Sequence, residues 1–258
     1  MVKKNPFRIP EGVFTTYSRS LKKIAEQAGE IIKAYANKNK IPSQSDIQLM
    51  RIALDKYSDL IDRWSYVTAQ NMLNEVEKRN RNVWKSQTKE LGAQVRNIIE
   101  ETPVGSVMKG LLAEQVFLIK SIPIEAGQRV HELAIEAMSQ GTRAKDIAEM
   151  IYESNEVSKS RAMLIARTEI GRADVTLTEA RATRLGSEGY IWRTAHDYNV
   201  RPSHRMMEGK FVRWDDPPAI NEGSEQKPNI IRHHAGAIWN CRCFASPQIP
   251  GLEMLNAA

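Results

Sequence analysis

The stretch GYIWRTAHDYNVRPSHRMMEGKFVRW, residues 189–214, contains the pattern that decides the fold class of the chain. Its first residues alternate, so that Tyr190, Trp192 and Thr194 would lie on one face of a half-buried strand. Residues Phe211 to Trp214 are the next strand candidate. We therefore predict a small antiparallel sheet that begins near residue 190.

Proline and glycine mark the elements that follow the first strand. Pro202 suits the first position of a helix and Gly209 a helix end, so a short helix is expected over residues 202–208. A last strand is expected over residues 238–245, where apolar residues return after a proline-containing loop.

The first hundred residues are predicted to be helical. Between Ser43 and Thr102 there is no proline and a single glycine, so residues 46–100 should form one long helix or a helical hairpin. Apolar residues follow helical spacing along this segment: Met50, Leu54, Tyr57, Ile61 and Trp64. Residues 18–37 show a second amphipathic pattern, which predicts another helix ahead of the first.

The run Thr102-Pro103-Val104-Gly105 breaks the helical pattern and separates residues 1–102 from residues 103–258. Ile122-Pro123 should interrupt the next helical stretch, and a long helix is expected between Ser158 as N-cap and Gly186 as its end. The chain is therefore predicted to be an α+β protein, mostly α. A long helical N-terminal arm precedes a helical region and the small C-terminal antiparallel sheet.

The composition argues against a membrane or secreted protein. No apolar run approaches the ~20 residues that cross a bilayer, so no membrane contact is expected. The two cysteines, Cys241 and Cys243, are too few and too close together for the disulfide framework of a secreted protein. A reducing compartment fits this pattern best.

The net charge of +6 is concentrated in the predicted arm. Residues 1–100 hold 18 Lys and Arg against 11 Asp and Glu, a net +7, whereas residues 101–258 hold 19 against 20, a net −1. Such an excess can favour a phosphate backbone or an acidic protein surface, or it can be a solvated helix face that binds nothing. The candidate DNA-contacting residues are five neighbouring cations: Lys78, Arg79, Arg81, Lys85 and Lys89.

Several polar motifs follow one another in a fixed order in the second part of the chain. They are Arg167-Thr168-Glu169, Trp192-Arg193-Thr194, Asp197, Val200-Arg201-Pro202-Ser203-His204, Glu208-Gly209-Lys210 and Asn240-Cys241-Arg242-Cys243. Over roughly residues 110–248 this order resembles the Mu F-like head morphogenesis family of phage minor head proteins. The resemblance implies a structural virion protein, made in the host cytoplasm and placed inside the capsid at the portal. It also implies the portal protein, packaged double-stranded DNA and other head proteins as partners, and a role in head assembly, DNA packaging or DNA ejection.

One departure from this family concerns zinc. Many relatives carry Cys-x-x-Cys where this chain has residues 201–204, and with the later Cys-x-Cys that would make a four-thiolate zinc site. Because Arg201 cannot lose its proton and would repel a divalent ion, we expect well under one zinc per chain and no other cofactor. Any zinc that did bind would need His204, Cys241, Cys243 and a fourth donor such as His233 or His234.

Without metal, the same residues have structural explanations. Asp197 and Arg201 would form an ion pair, and His204 would be a hydrogen-bonded turn residue. Cys241 and Cys243 would pack as small apolar groups.

Two enzymatic interpretations compete with the structural one. Arg167 and Glu169 could hold a nucleotide, but Glu169 can equally pair with Arg172 while Arg167 anchors its helix. A metal-dependent nuclease could use polar residues between positions 197 and 243: Asp197, His204, His233, His234, Asn240 and the region of Cys241 and Cys243. Their spacing matches no nuclease motif, and the chain has no glycine-rich phosphate loop. We therefore assign no catalytic residue and expect no enzymatic activity.

Overall fold

The computed structural model describes residues 11–36, 42–88, 93–140 and 144–250. They form two compact units, each built from segments that are distant in the sequence. The helical unit comprises Thr15–Asn71 and Leu112–Ala166, and the mixed unit comprises Met1–Phe14, Met72–Leu111 and Arg167–Ala258. Each unit draws residues from both sides of position 102, so the compact units differ from the arm and domain expected from the sequence. That arm and domain remain a prediction about function.

In the described residues, seven helices are followed by a β region that contains one further short helix. The helices are α1 Glu11–Tyr35, α2 Gln44–Leu60, α3 Asp62–Gln87, α4 Ala93–Glu101, α5 Gly105–Gln140, α6 Ala144–Tyr152, α7 Ser154–Arg184 and α8 Pro202–Arg205. The strands are β1 Gly189–Thr194, β2 Phe211–Arg213, β3 Ala219–Asn221, β4 Ile230–Arg232 and β5 Cys243–Gln248. The predicted fold class, mostly α with a small C-terminal antiparallel sheet, is confirmed.

The helical unit packs around small and aliphatic side chains. Its core consists of Ala28, Ile32, Met50, Leu54, Ala126, Val130 and Ile151. The predicted apolar spacing is correct at Met50 and Leu54, but the described residues between 46 and 100 form three helices, where one long helix or a helical hairpin was expected. The first break comes at Ile61, and Trp64 beyond it is 37% exposed. The break predicted at residues 102–105 separates α4 from α5.

The predicted interruption at Pro123 is wrong, because α5 continues through it. Proline removes one backbone donor from a helix, which is normally costly. Here Ile119, Ile122 and Ala126 are fully buried on either side of the proline, so packing holds the helix together.

Helix α7 begins at Ser154, ahead of the predicted N-cap. Ser158 is not its N-cap; it is buried inside the helix and its hydroxyl donates to the Ser154 carbonyl at 3.2 Å. The predicted C-terminal end is correct, since Gly186 has a φ of +80° just beyond the last helical residue. Buried residues follow one another at helical spacing along this helix: Ala162, Ala166, Ile170, Ala173 and Leu177.

The mixed unit contains two antiparallel sheets. The first has the order β2-β1-β5, with Trp192 opposite Ala245 and Thr194 opposite Cys243, and the second pairs β3 with β4. Tyr190, Trp192 and Thr194 share the buried face of β1, as the alternation predicts.

Two expectations about the strands need correction. The last strand starts at Cys243 and not near residue 238, because residues 238–242 form a turn. The strands β3 and β4 have no counterpart in the sequence prediction. At three residues each, they are too short to give a periodic signal.

Among the residues that the structure describes, no helix is long and apolar enough to cross a membrane.

Candidate functional site

Four buried side chains from different elements of the mixed unit meet beside the sheet. His204 lies on α8, Glu222 follows β3, and Cys241 and Cys243 occupy the turn and the first position of β5. We call these four residues the thiol cluster. His204 is 1% exposed, each cysteine is 3% exposed, and the Glu222 side chain has no exposed area.

Local turns bring these residues together. Asn240 adopts a φ of +54°, and the Cys241 amide donates to the Ile238 carbonyl at 3.2 Å, which closes a turn ahead of β5. Asn221 organises the loop after Glu222, because its side-chain oxygen accepts from the Gly223 and Asn229 amides at 3.0 and 2.9 Å. Both cysteines can therefore face α8 although only Cys243 belongs to a strand.

The imidazole of His204 connects the two halves of the thiol cluster. Its Nδ1 lies 3.5 Å from Cys241 Sγ and 3.4 Å from Cys243 Sγ. Its Nε2 lies 2.7 Å from Glu222 Oε1. Because an ionised carboxylate only accepts hydrogen bonds, Nε2 is the donor in that contact.

Glu222 is the centre of the polar half. Its Oε1 also receives His233 Nε2 at 2.8 Å, and its Oε2 pairs with Arg201 at 3.1 Å. Burial would raise the pKa of Glu222, but hydrogen bonds from His204 and His233 and the charge of Arg201 outweigh it, so the pKa is lowered. The carboxylate is therefore charged and enclosed by three cationic or hydrogen-donating side chains.

The neighbouring groups also shift the pKa values on the thiol side. Burial would lower the pKa of His204, but hydrogen bonds with Cys241 and Glu222 raise it above the ordinary value. The pKa of Cys241 is well below that of a free thiol, because Cys243 hydrogen-bonds to it and His204 adds a further hydrogen bond against the effect of burial. The pKa of Cys243 is raised by its hydrogen bond to Cys241 and by burial.

The indole of Trp192 covers the imidazole rings. Its centroid is 5.6 Å from that of His204 and 5.9 Å from that of His233. His234 has a different environment, since its Nδ1 lies 3.2 Å from the Tyr190 hydroxyl. Burial lowers the pKa of His234.

The ion pair predicted between Asp197 and Arg201 is wrong. Asp197 accepts from Arg242 Nε at 2.7 Å, and Arg201 pairs with Glu222 and donates to the Trp239 carbonyl at 2.8 Å. Spacing along the sequence suggested that Asp197 and Arg201 would meet. The loop instead carries Asp197 to the turn before β5, and Arg201 points to the buried carboxylate.

The first of the ordered motifs packs against the last. Thr168 Oγ1 accepts from the Asn240 amide at 3.0 Å, which joins α7 to the turn before β5. Arg167 stacks on the Phe14 ring with its guanidinium carbon 5.0 Å from the centroid. The predicted pair of Glu169 and Arg172 is present at 3.4 Å.

Glu208 and Gly209 connect α8 to the sheet. Gly209 has a φ of +79°, and its amide donates to the Trp192 carbonyl at 2.9 Å. The Glu208 carboxylate accepts from the Thr194 amide at 2.6 Å and from Arg193 at 3.2 Å. The ordered motifs therefore build one packed region. This packing explains why the resemblance rests on the whole ordered set and not on any single motif.

The structure brings together three of the proposed zinc ligands, His204, Cys241 and Cys243, but neither histidine suggested as the fourth ligand joins them. Ligand atoms of His204, Cys241 and Cys243 all lie within 4.8 Å of one another. His233 instead bonds to Glu222 and His234 to Tyr190. The same arrangement bears on the nuclease interpretation, because the Asp197 carboxylate is engaged by Arg242.

Sequence reasoning missed Glu222. It lies in a loop between two unpredicted strands, and no neighbouring motif distinguishes it from the other glutamates of the chain.

The mixed unit holds a second buried polar group, between α3 and α7, which we call the helical cluster. It consists of Glu77, Asn80, Asp174, Thr178 and Arg181. Asn80 donates to Asp174 at 2.9 Å and to Thr178 at 2.8 Å, while Arg181 donates to Asn80 at 2.6 Å and to Glu77 at 2.7 Å. Burial raises the pKa of Asp174 to about 6, against the opposing effects of Asn80 and the nearby arginines.

The candidate DNA-contacting cations lie close to the helical cluster. Lys78 is exposed, and burial lowers the pKa of half-buried Arg79 despite the charge of Asp174. Arg81 pairs with Glu77 at 3.5 Å and Lys85 with Glu100 at 2.6 Å. Lys89 lies outside the described residues. Of the residues described, Lys78 is the cation of this set that is most accessible to a phosphate.

Three curated proteins are similar to this chain. Minor head protein GP7 of Bacillus phage SPP1 is 25% identical over 249 residues, covering 88% of this chain and 78% of that protein. An uncharacterised protein of Haemophilus influenzae is 30% identical over 166 residues, covering 64% of this chain and 34% of that protein. A protein of Enterococcus faecalis named NAD(+)--arginine ADP-ribosyltransferase EFV is 30% identical over 133 residues, covering 50% of this chain and 27% of that protein.

The chain thus spans about a third or less of the two bacterial relatives and most of the phage protein. No solved structure matches it. The family described as Phage Mu protein F like protein matches residues 128–246, a segment that includes the whole thiol cluster. Over these residues the chain resembles the Phage Mu protein F like family.

Proposed function

We propose that this protein is a minor head protein of a tailed phage, a structural component of the virion that sits inside the capsid and binds the portal protein. The observation that carries the proposal is the likeness to the SPP1 minor head protein, which extends over 88% of this chain. The family segment, residues 128–246, contains the packed region formed by the ordered motifs. Head assembly, DNA packaging and DNA ejection are the processes in which a protein at this location would act.

The portal location is testable with particles that differ in a single component. Capsids assembled with and without portal protein should be purified side by side and their content of this chain compared. We expect the chain in portal-containing particles and its loss from portal-less shells. Equal recovery from both would contradict binding at the portal.

We propose a structural and not an enzymatic role. The thiol cluster is almost completely buried, so a substrate would have little access to its nucleophilic and basic groups. The likeness to the protein named as an ADP-ribosyltransferase covers 27% of that protein, and that protein's activity need not reside in the shared part. Incubation of the purified chain with labelled NAD and an arginine-rich acceptor should therefore give no labelled product, and labelling above background would contradict the structural role.

Contact with packaged double-stranded DNA is the further part of the proposal. The basic excess of residues 1–100 supports it, because lysine and arginine on phosphates give binding that ignores base sequence. The ion pairs of Arg81 and Lys85 limit the strength of DNA binding. Each of these cations must leave its glutamate partner before it can contact a phosphate. Other head proteins with acidic surfaces would compete for the same cations.

A further inference from the structure

We propose that His204 Nδ1, Cys241 and Cys243 bind one zinc ion, and that Glu222 is the positioning residue that holds His204 in the orientation zinc needs. The chain has two cysteines, so a four-thiolate site is impossible, and His204 supplies the third donor beside them.

The spacing of the three donor atoms fits zinc. Zinc–sulfur bonds of about 2.3 Å and zinc–nitrogen bonds of about 2.0 Å, at tetrahedral angles, place neighbouring sulfur and nitrogen ligands about 3.5 Å apart. His204 Nδ1 lies 3.5 Å from Cys241 Sγ and 3.4 Å from Cys243 Sγ. Both distances equal the edge of such a tetrahedron, so the donors need little movement to share one ion.

Glu222 supplies the orientation. A histidine that binds metal through one ring nitrogen commonly donates its other N–H to a carboxylate, which fixes both the tautomer and the direction of the ring. Here His204 Nε2 lies 2.7 Å from Glu222 Oε1, and the lone pair of Nδ1 is left to face the two sulfur atoms. His233 and Arg201 hold the carboxylate in turn, at 2.8 and 3.1 Å.

This arrangement removes the reason for expecting little zinc. That expectation rested on repulsion between Arg201 and a divalent ion. The guanidinium of Arg201 is paired with Glu222 and with the Trp239 carbonyl, so its charge is compensated by groups outside the ligand set. Arg201 contacts Glu222 Oε2, whereas His204 contacts Oε1, so the arginine helps to hold the carboxylate that orients His204.

A second group of donors in the same place is not an equivalent metal site. Ligand atoms of His204, Glu222 and His233 also lie within 4.8 Å of one another. Their contacts to Glu222 Oε1 are 2.7 and 2.8 Å, which are hydrogen-bond lengths and shorter than the spacing between ligands of a tetrahedral ion. These residues support the ligand and do not form a ligand set themselves.

The fourth ligand comes from outside the thiol cluster. A cavity of about 210 Å³ is lined by both cysteines together with Arg167, Arg242, Phe14 and Phe244. It is large enough for a water molecule to complete the coordination. Three protein ligands with a water in the fourth position are an ordinary zinc arrangement.

The test is a zinc and cobalt titration of the purified chain after metal removal. We expect one zinc per chain, measured by competition with a chromophoric chelator. Cobalt should give the near-ultraviolet charge-transfer band of thiolate coordination. Replacing Cys241 and Cys243 with serine should abolish both signals. A zinc content below a tenth per chain after loading, with no thiolate band, would overturn the proposal.

The role of Glu222 needs its own comparison. Glu222→Gln should weaken zinc binding roughly 10- to 100-fold, as loss of an orienting carboxylate does. The matched control Glu225→Gln, at an exposed position of the same loop, should leave the affinity unchanged. Nitrogen NMR of His204 in the unaltered protein gives a second readout, which should show Nδ1 bound to metal and Nε2 protonated. Equal zinc affinity of the Glu222→Gln variant and the parent, or metal on Nε2, would overturn the positioning role.

Discussion

Among the described residues of the mixed unit, the helical cluster and the thiol cluster are both largely buried, but they differ in composition and in their hydrogen bonds. In the helical cluster, oxygen acceptors of Glu77, Asn80, Asp174 and Thr178 each receive a nitrogen donor within 3 Å. In the thiol cluster, Glu222 Oε1 accepts from two imidazole nitrogens, whereas His204 Nδ1 faces two sulfur atoms, which are weak donors.

The difference separates a structural network from a candidate binding site. In the helical cluster, strong donors from Asn80 and Arg181 occupy the acceptors and stabilise the packing of the helices. A buried group in which a ring nitrogen and two thiols converge keeps lone pairs that a metal ion can use. The hydrogen-bond partners distinguish the two groups more clearly than burial does, although Glu77 of the helical cluster is 17% exposed.

The largest effect is expected where the helical cluster is broken. Arg181→Ala removes the cation that donates to partly exposed Glu77 and to buried Asn80, and leaves both acceptors without it. Loss of one partner of a buried pair should lower the free energy of unfolding by about 3 kcal/mol. The control Arg184→Ala, exposed on the same helix, should stay within about 0.5 kcal/mol of the parent. Urea denaturation measures both, and similar values for the two variants would show that the helical cluster is not structural.

Removal of zinc should destabilise the thiol cluster. At a zinc concentration 100-fold above its dissociation constant, binding stabilises the folded state by about 2.7 kcal/mol. A chelator should therefore speed amide hydrogen exchange in residues 189–248, while peptides from α3 keep their protection. Uniform loss of protection across the mixed unit would mean that the two clusters are not independent.

A smaller effect is expected from pH at the helical cluster. Because the folded-state pKa of Asp174 is raised to about 6, the folded state binds the proton more tightly than the unfolded state. Proton binding by Asp174 therefore adds to the free energy of unfolding at low pH, and this stabilisation is lost as pH rises through 6. The loss between pH 5 and 8 is about 1 kcal/mol. Asp174→Asn should remove that part of the pH dependence in denaturation curves. An unchanged dependence would mean that another group is responsible.

The basic residues near the helical cluster should give the smallest effect. If they bind DNA, changing Arg81, Lys85 and Lys89 to glutamine should flatten the slope of log affinity against log salt by at most about 2.7. We expect less than this maximum, because Arg81 and Lys85 are already paired with Glu77 and Glu100. Binding of duplex DNA across a salt series measures the slope. An unchanged affinity and slope would indicate a solvated or portal-facing helix.

The comparison also shows which features the sequence could reveal. The alternation at Tyr190 and Trp192 and the glycine at 186 report local geometry, and both predicted their elements correctly. The predictions at Ser158 and Pro123 were wrong because tertiary packing outweighed the local preference of each residue. Ser158 lies inside the helix that it was expected to begin, and Pro123 lies inside a helix that it was expected to break.

The candidate site was predictable only in part for a related reason. His204, Cys241 and Cys243 carry chemistry that residue type alone reveals, and the structure brings them together. The position of Glu222 depends on two three-residue strands and a loop held by Asn221, none of which produces a periodic pattern. Long-range pairing of Arg201 with Glu222 instead of Asp197 follows from that loop and could not be obtained from spacing.

The position of the chain in an intact phage particle tests the account most directly. An asymmetric reconstruction of the particle, without imposed capsid symmetry, should show density for the mixed unit on the inner side of the portal vertex. Particles that lack the chain should lose that density and keep the rest of the shell. Density distributed over the capsid lattice, or absence of the chain from particles that package DNA normally, would contradict a portal-bound minor head protein.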